Sequence, residues 1–518
     1  MTDASTRPDL VSRLADRSNP LLVRLLRQEM RSRGFVATYA LALVLACAMA
    51  VGICLVESVN VEARRGQALF LVCAGAWIVA SWLIAGQTAF AALARERTDD
   101  TWDLVELTGM GPRRVILGVF ANAAVQAAVY GAALSPFMML GYLMRGVDIG
   151  LVLLALIGVP LGALFCAGFA LLMGSAGVTK AARAGLGFLS FVGLLIACGM
   201  GILALVNSQE VLRDMFWSWE TAATVLTIML SVWAWWLLLF LVLATSRLHH
   251  RAADRSTWPR LVVLAMPLYA VALALGFWFA FASPHAFPGA LWFMLGTLAV
   301  FIQAWAVIVG LCSISEPWAV SPRQARSIQA APLWRRWLTP LLGPGAARGR
   351  WAYLALVVFA LLLTVPQWFA EVMDQYRFAL IPAKIAFAIA CYGMVLNLLG
   401  DSLCRGLFPR VLGNPDWRRL SMLAFLALYL ALTTIISASL GAFHFHQDAA
   451  GFFWAPIAAL YHIGDIVRRD DVAGVMSPLI LIGIAGLIAF AILIVQALRM
   501  RVRTIAVRAE DGDRNPRG

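Results

Sequence analysis

An α-helix needs about 20 apolar residues to cross the hydrocarbon core of a bilayer, and this chain returns to runs of that length again and again. About twelve of them are centred on Ala46, Val79, Ala128, Gly162, Leu195, Met229, Val271, Val300, Ala360, Ala390, Tyr429 and Leu487. They are too long for strands, and short polar segments separate them. Of the 518 residues, 62% are apolar and only 13% are charged, where soluble globular chains carry about 25% charged residues. The mean hydropathy is +0.82. These features predict an all-α, polytopic membrane protein with about twelve transmembrane helices, and they exclude a soluble globular domain.

A formal charge of +13 would by itself suggest nucleic acid. Its distribution argues for topology instead. With the N-terminus placed in the cytoplasm, 33 of the 41 Lys and Arg residues fall in cytoplasmic segments. That is the positive-inside bias of a bacterial inner membrane protein, with both termini cytoplasmic. No nucleic-acid partner is expected. No cleavable signal peptide is read, because the first apolar run begins near Val36, too far in for one. Cys47, Cys54, Cys73, Cys166, Cys198, Cys312, Cys391 and Cys404 lie mostly inside apolar runs without CxxC spacing. They read as small packing residues.

The spans divide into two sets of six, residues 36–245 and 246–498, with a cytoplasmic N-terminus over 1–35 and a basic tail over 499–518. Six is even, so the two sets share one orientation, as in a parallel repeat. Each set has a long cytoplasmic loop after its second span, 93–114 and 314–350. Each has an aromatic-rich external segment before its last span. The apolar segment 451–463 is too short to cross and reads as re-entrant or interfacial.

Two polar segments stand out. Ahead of the first span, Asn19 suits an N-cap and Pro20 the first helical position. Leu21, Leu22, Leu25, Leu26 and Met30 then share one side of a helix, and Arg24, Arg27 and Arg31 the other. That is an amphipathic helix lying on the cytoplasmic leaflet, with the lipid bilayer as partner. The second segment is the loop after the second span. At helical spacing Asp99, Asp100, Asp103 and Glu106 fall within an arc of roughly 120°, an acidic face suited to a soluble partner. Gly109, Gly111 and Pro112 stop that helix.

These two segments carry a resemblance to the permease subunits of ABC transporters of the ABC-2 type. Glu96-Arg97, Thr101, Leu104, Leu107-Thr108 and Gly118 are similar to that family's coupling-helix pattern, and Asn19-Pro20 with Arg27-Gln28-Glu29 to its opening. Val119 stands where lysine is usual, and Gly109 replaces the first proline. The resemblance covers residues 19–245; in the second half Ser315-Glu316-Pro317 occupies the corresponding loop without the motif. It implies a permease subunit, mainly of exporters, driven by a separate ATPase. Coupling to that ATPase would fall to Glu96, Arg97, Asp100, Thr101, Asp103, Leu104, Glu106 and Leu107. A homodimer partner or a second permease remains open.

The residues independently place nucleotide chemistry elsewhere. A Walker A lysine lies in Gly-Lys-Ser/Thr, and the only lysines, Lys180 and Lys384, are flanked by Thr179 and Ala181 and by Ala383 and Ile385. No cofactor is expected in this chain, and it is not read as an enzyme. Asn122, Gln126, Gln303 and Asn397 are polar within apolar runs. They either line a substrate path or hydrogen-bond helix to helix. Lys384 is expected to snorkel at the external end of its span. His444, His446, Asp448, His462 and Asp465 share one loop but match no metal-ligand spacing. The alternatives are an ion-coupled secondary transporter and a membrane-embedded scaffold or enzyme.

The topology is testable in a cysteine-depleted background. Ala330→Cys and Glu510→Cys should resist an impermeant thiol reagent in intact cells and react once the membrane is opened. External labelling at either position overturns the twelve-span arrangement.

Overall fold

The computed structural model describes residues 19–55, 62–96, 110–144, 147–176, 180–215, 219–249, 255–281, 288–314, 341–372, 380–406, 480, 482–496 and 498. They are helical almost throughout, and the protein is an all-α, multi-pass membrane protein. Ten helices among the described residues are long and apolar enough to cross a bilayer, from Arg33–Gly52 to Pro382–Gly400. They coincide with the first ten apolar runs. The run at Tyr429 lies outside the described residues, as do 407–479, with the segment 451–463 and its histidines. The last run forms the shorter apolar helix Ile482–Gln496. The chain divides into two compact units, Met1–His249 and His250–Gly518.

In the first unit the helices are α1 (Pro20–Met30), α2 (Arg33–Leu55), α3 (Glu62–Ile78), α4 (Ala85–Glu96), α5 (Pro112–Leu143), α6 (Ile149–Ala176), α7 (Lys180–Met215) and α8 (Trp219–Leu248). A six-residue π-helical stretch, Val79–Ile84, joins α3 to α4, so these three pieces form one span. In the π stretch the Ala85 N–H reaches back five residues to the Ala80 carbonyl. The Ser81 hydroxyl donates to the Trp77 carbonyl at 2.6 Å.

This span is the core of the unit, packed against α5, α6 and α7. In a bilayer no water drives helices together, so close approach at small residues and hydrogen bonds must do it. Tryptophan and glycine supply both. The Trp77 indole lies on Gly131 of α5, where a Cβ would fall 2.3 Å from the ring, and its N–H donates to the Ala127 carbonyl at 3.0 Å. The Trp82 indole lies on Gly162 of α6, where a Cβ would fall 2.1 Å away, and its N–H donates to the Val159 carbonyl at 2.8 Å. Trp233 of α8 bonds the Leu161 carbonyl in the same manner at 3.0 Å. α2 is held near its start, where the Thr38 and Tyr130 hydroxyls meet at 2.7 Å.

The second unit contains α9 (Thr257–Phe281), α10 (Pro288–Ile314), α11 (Ala346–Val372), α12 (Leu380–Gly406) and α13 (Ile482–Gln496). α10 packs along both α11 and α12. α13 lies on α12 at two glycines, Gly483 against Phe387 and Gly486 against Cys391. Arg260 is buried, and its guanidinium donates to the carbonyls of Gly343 and Gly345. Gly345 has φ 111°, a left-handed conformation that glycine adopts without a Cβ clash. Arg350, buried at the start of α11, donates to Gln496 Oε1 of α13.

Two expectations change. Lys384 is 4% exposed and so is enclosed by protein rather than snorkelling to an aqueous edge. Among the described cysteines Cys73, Cys166, Cys198 and Cys391 are buried and free, whereas Cys47 is exposed on α2 and packs no core.

Gly162→Val should lower unfolding stability in detergent by about 2 kcal/mol, since the indole must leave its slot. Trp82→Phe should cost about 1 kcal/mol, because mainly the N–H bond is lost. Chemical unfolding of both variants checks the order; equal stability of wild type and Gly162→Val would show the slot to be unimportant.

Candidate functional site

The loop after the second span is bounded by α4 and α5. Leu93–Glu96 is the last turn of α4, so the chain leaves that helix later than position 93. Pro112 is the first residue of α5, so Pro112–Arg114 belongs to a helix and not to the loop. Arg97, Asp100, Thr101, Asp103, Leu104, Glu106 and Leu107 lie outside the described residues. Glu96 is described, and it shows what the ends of the loop are attached to.

Both ends are fastened to α1. At the α4 end, Arg24 Nη1 of α1 stands 3.9 Å from Glu96 Oε1. At the α5 end, Asn19 Nδ2 donates to the Arg114 carbonyl. The same Asn19 caps α1, its Oδ1 accepting from the Leu21 N–H at 3.1 Å, with Pro20 at the first position. Gly118 makes room for this. A Cβ there would lie 2.8 Å from Asn19 Nδ2. Between the two polar fastenings, Leu21 and Leu25 are buried in a cluster with Ala89, Ala92 and Leu93 of α4 and Val115, Ile116 and Val119 of α5.

Magnitudes rank these contacts. Arg24 is 68% exposed and the pair is at the outer limit of an ion pair, so it contributes about 0–1 kcal/mol. The Asn19 cap contributes about 1 kcal/mol. Packing of Leu21 and Leu25 therefore holds α1, and the polar contacts set its register. The apolar side of α1 is consequently divided. Leu21 and Leu25 face protein, while Val23, Leu26 and Met30 stay half-exposed for the membrane boundary. Arg24, Arg27 and Arg31 are exposed. At the other side of α4, Arg183 Nη1 of α7 donates to the Ala94 carbonyl at 3.5 Å.

The four polar residues proposed for a path are all buried. Asn122 and Gln126 lie one turn apart on α5 in the first unit. Thr88 Oγ1 of α4 donates to Gln126 Oε1 at 3.2 Å, and nearby Gln87 reaches Ser190 of α7 at 3.4 Å. Asn122 Oδ1 and Gln126 Nε2 have no hydrogen-bond partner among the described residues. In the second unit Gln303 Nε2 donates to the Val357 carbonyl at 3.1 Å. Asn397 Nδ2 donates to the Gly393 carbonyl at 2.7 Å, and its amide lies on Gly310 of α10. Gln126 and Gln303 thus hydrogen-bond across helices, the work of helix association, whereas Asn397 bonds within its own helix, and each of the four amides keeps one unsatisfied polar atom.

Sequence reasoning missed Gln367, buried with its Nε2 donating to the Trp292 carbonyl, and the buried Arg260 and Arg350. The arginines were counted as topological charge. The Gly343-Pro344-Gly345 turn was the local signal that Arg260 had carbonyls to meet. Among the described residues no group of three His, Cys, Asp or Glu side chains is placed to hold a metal ion.

No family model matches this chain, and no curated protein or solved structure matches it.

Gly118→Val should push Asn19 from its seat and raise amide hydrogen exchange across residues 19–31, leaving exchange in α3 and α6 unchanged. Mass-spectrometric exchange measures this. Unchanged protection of α1 would show that Gly118 is not its seat.

Proposed function

We propose that this chain is the transmembrane permease subunit of an ABC transporter of the ABC-2 type, an exporter of the bacterial inner membrane driven by a separate ATPase. The observation that carries the reading is the double fastening of the loop 97–109. Arg24–Glu96 before it and Asn19–Arg114 after it tie both ends to one helix. A partner pressing on that loop moves α1, the end of α4 and the start of α5 together. The resemblance at Glu96-Arg97, Thr101, Leu104 and Leu107-Thr108 supports an ATPase contact in the same interval. The positive-inside distribution puts it on the cytoplasmic side.

The π stretch gives this push a place to act. On the Glu62 side of the π stretch the Trp77 N–H bond pins the span to α5, and within the stretch the Trp82 N–H bond holds it to α6. On its Glu96 side the span carries the loop. π-helical turns inside α-helices recur at functional sites, and this one separates the Trp77 fastening from the end that carries the loop. Opening at one membrane face and closing at the other follows when the α4 end moves and the α3 end stays.

A second reading is kept by one observation. Lys384, near one end of the span Pro382–Gly400, is enclosed by protein rather than exposed, and a buried ionisable residue in a span is a marker of ion-coupled transport. The two readings separate cleanly. In the ABC reading, Asp100→Lys with Glu106→Lys should weaken co-purification of the ATPase by about tenfold while the protein still inserts, because at helical spacing both carboxylates share the acidic arc. Normal co-purification and normal coupled hydrolysis would remove the loop from the interface. Proteoliposomes of this chain alone should move no substrate under a proton or sodium gradient. Gradient-driven movement abolished by Lys384→Met would replace the ABC reading with the secondary transporter.

A further inference from the structure

Three arginines at the junction of α1 and α2 are used by nothing else in the described structure. Arg27, Arg31 and Arg33 are exposed, and none makes a hydrogen bond or ion pair through its guanidinium among the described residues. Their neighbours differ. Arg24 faces Glu96, and Arg183 is bonded to the Ala94 carbonyl. Glu29, the nearest acidic residue in sequence, is two positions from both Arg27 and Arg31. It therefore lies about 160° around the helix from each, too far to neutralise them.

Position decides what these groups meet. Arg33 is the first residue of the span Arg33–Gly52. Beyond it Val36, Leu41, Val44, Leu45 and Val51 are exposed on α2, a surface that belongs to the acyl phase. The polar layer of the bilayer is therefore at the level of Arg33. α1 approaches that layer with Leu26 and Met30 half-exposed beside Arg27 and Arg31. Arg27 to Arg31 covers about 6 Å at helical rise, and Arg33 follows two residues later across the break between α1 and α2. Guanidinium is the side chain best matched to phosphate oxygens, through paired N–H donors.

We infer that Arg27, Arg31 and Arg33 form a binding surface for anionic phospholipid headgroups of the leaflet that α2 enters. Leu21 and Leu25 bury one side of α1 in the protein, so the side left to the lipid surface carries the guanidinium groups beside the half-exposed Leu26 and Met30. This depends on the placement of α1 and α2 and not on the transporter class.

The test uses the full-length chain, cysteine-depleted, with Gln28→Cys carrying a fluorophore, in vesicles of phosphatidylcholine with phosphatidylglycerol. Energy transfer to trace acceptor-labelled phosphatidylglycerol is compared with transfer to acceptor-labelled phosphatidylcholine. The wild-type arginines should enrich the anionic tracer about fivefold or more, falling toward parity in about 0.5 M salt. Substituting Arg27→Gln, Arg31→Gln and Arg33→Gln should give parity at low salt. The Arg→Lys triple should retain most of the enrichment, which separates loss of charge from loss of folding. Parity in the wild-type chain, or undiminished enrichment in an inserted glutamine triple, overturns the inference. So does displacement of the tracer by millimolar inorganic phosphate or glycerophosphate, which would make this a general anion site. If the glutamine triple fails to insert, the salt response of the wild-type chain decides alone: enrichment insensitive to salt overturns the inference.

Discussion

Inside a bilayer a polar group has no water to fall back on, and most of what is distinctive in this fold answers that constraint. The indole N–H groups of Trp77, Trp82 and Trp233 each end on a main-chain carbonyl of a neighbouring helix. For Trp77 and Trp82 a glycine lets the ring lie close to the backbone. The same rule governs the amides. Gln303 and Gln367 each give their N–H₂ group to a carbonyl of a neighbouring helix, so the polar side chain becomes a joint between spans. Helix association here rests on these joints and on interlocking shape, because lipid tails are as apolar as the helices themselves.

At the end of the first unit where the polar loop emerges, a different economy applies. There α1 is built from a cap, a leucine pair and a basic stripe, and each part has a separate destination. The cap and Leu21 and Leu25 go to protein, Arg24 goes to the end of α4, and Arg27 and Arg31 remain outward. One short helix therefore joins the two ends of the loop and leads into the start of the first span. Any load on the loop is shared among these elements. The shared attachment, rather than the weak Arg24–Glu96 pair alone, gives the proposed coupling its mechanical basis.

Much of the fold was legible because membrane spans are specified by length and hydrophobicity alone. The first ten runs coincide with ten described helices, and Asn19-Pro20 marks the start of α1 where capping chemistry says it should. The candidate site was legible in part. Arg24 and Glu96 were each singled out, for different reasons, from segments more than 70 residues apart in number, and nothing in spacing says that they meet. The polar residues Asn122, Gln126, Gln303 and Asn397 were visible as exceptions in apolar runs. The Val357 and Gly393 carbonyls that meet Gln303 and Asn397 were not, since a backbone carbonyl carries no sequence signature, and nothing in spacing pairs the Thr88 hydroxyl with Gln126.

The sequence by itself determined the helical class, the spacing of spans, the basic bias of the polar loops and the absence of a Gly-Lys-Ser/Thr phosphate loop. Each is a property of one segment or of composition, so no distant residue is needed to decide it. Only the tertiary structure decided that Lys384 is enclosed, that Arg260 serves a glycine turn, and that Gly118 seats Asn19. Those outcomes depend on which helix faces which. In an apolar run every side looks alike, so hydrophobic pattern cannot choose the facing side. The choice is made by shape, where an indole finds a glycine and an amide finds a carbonyl.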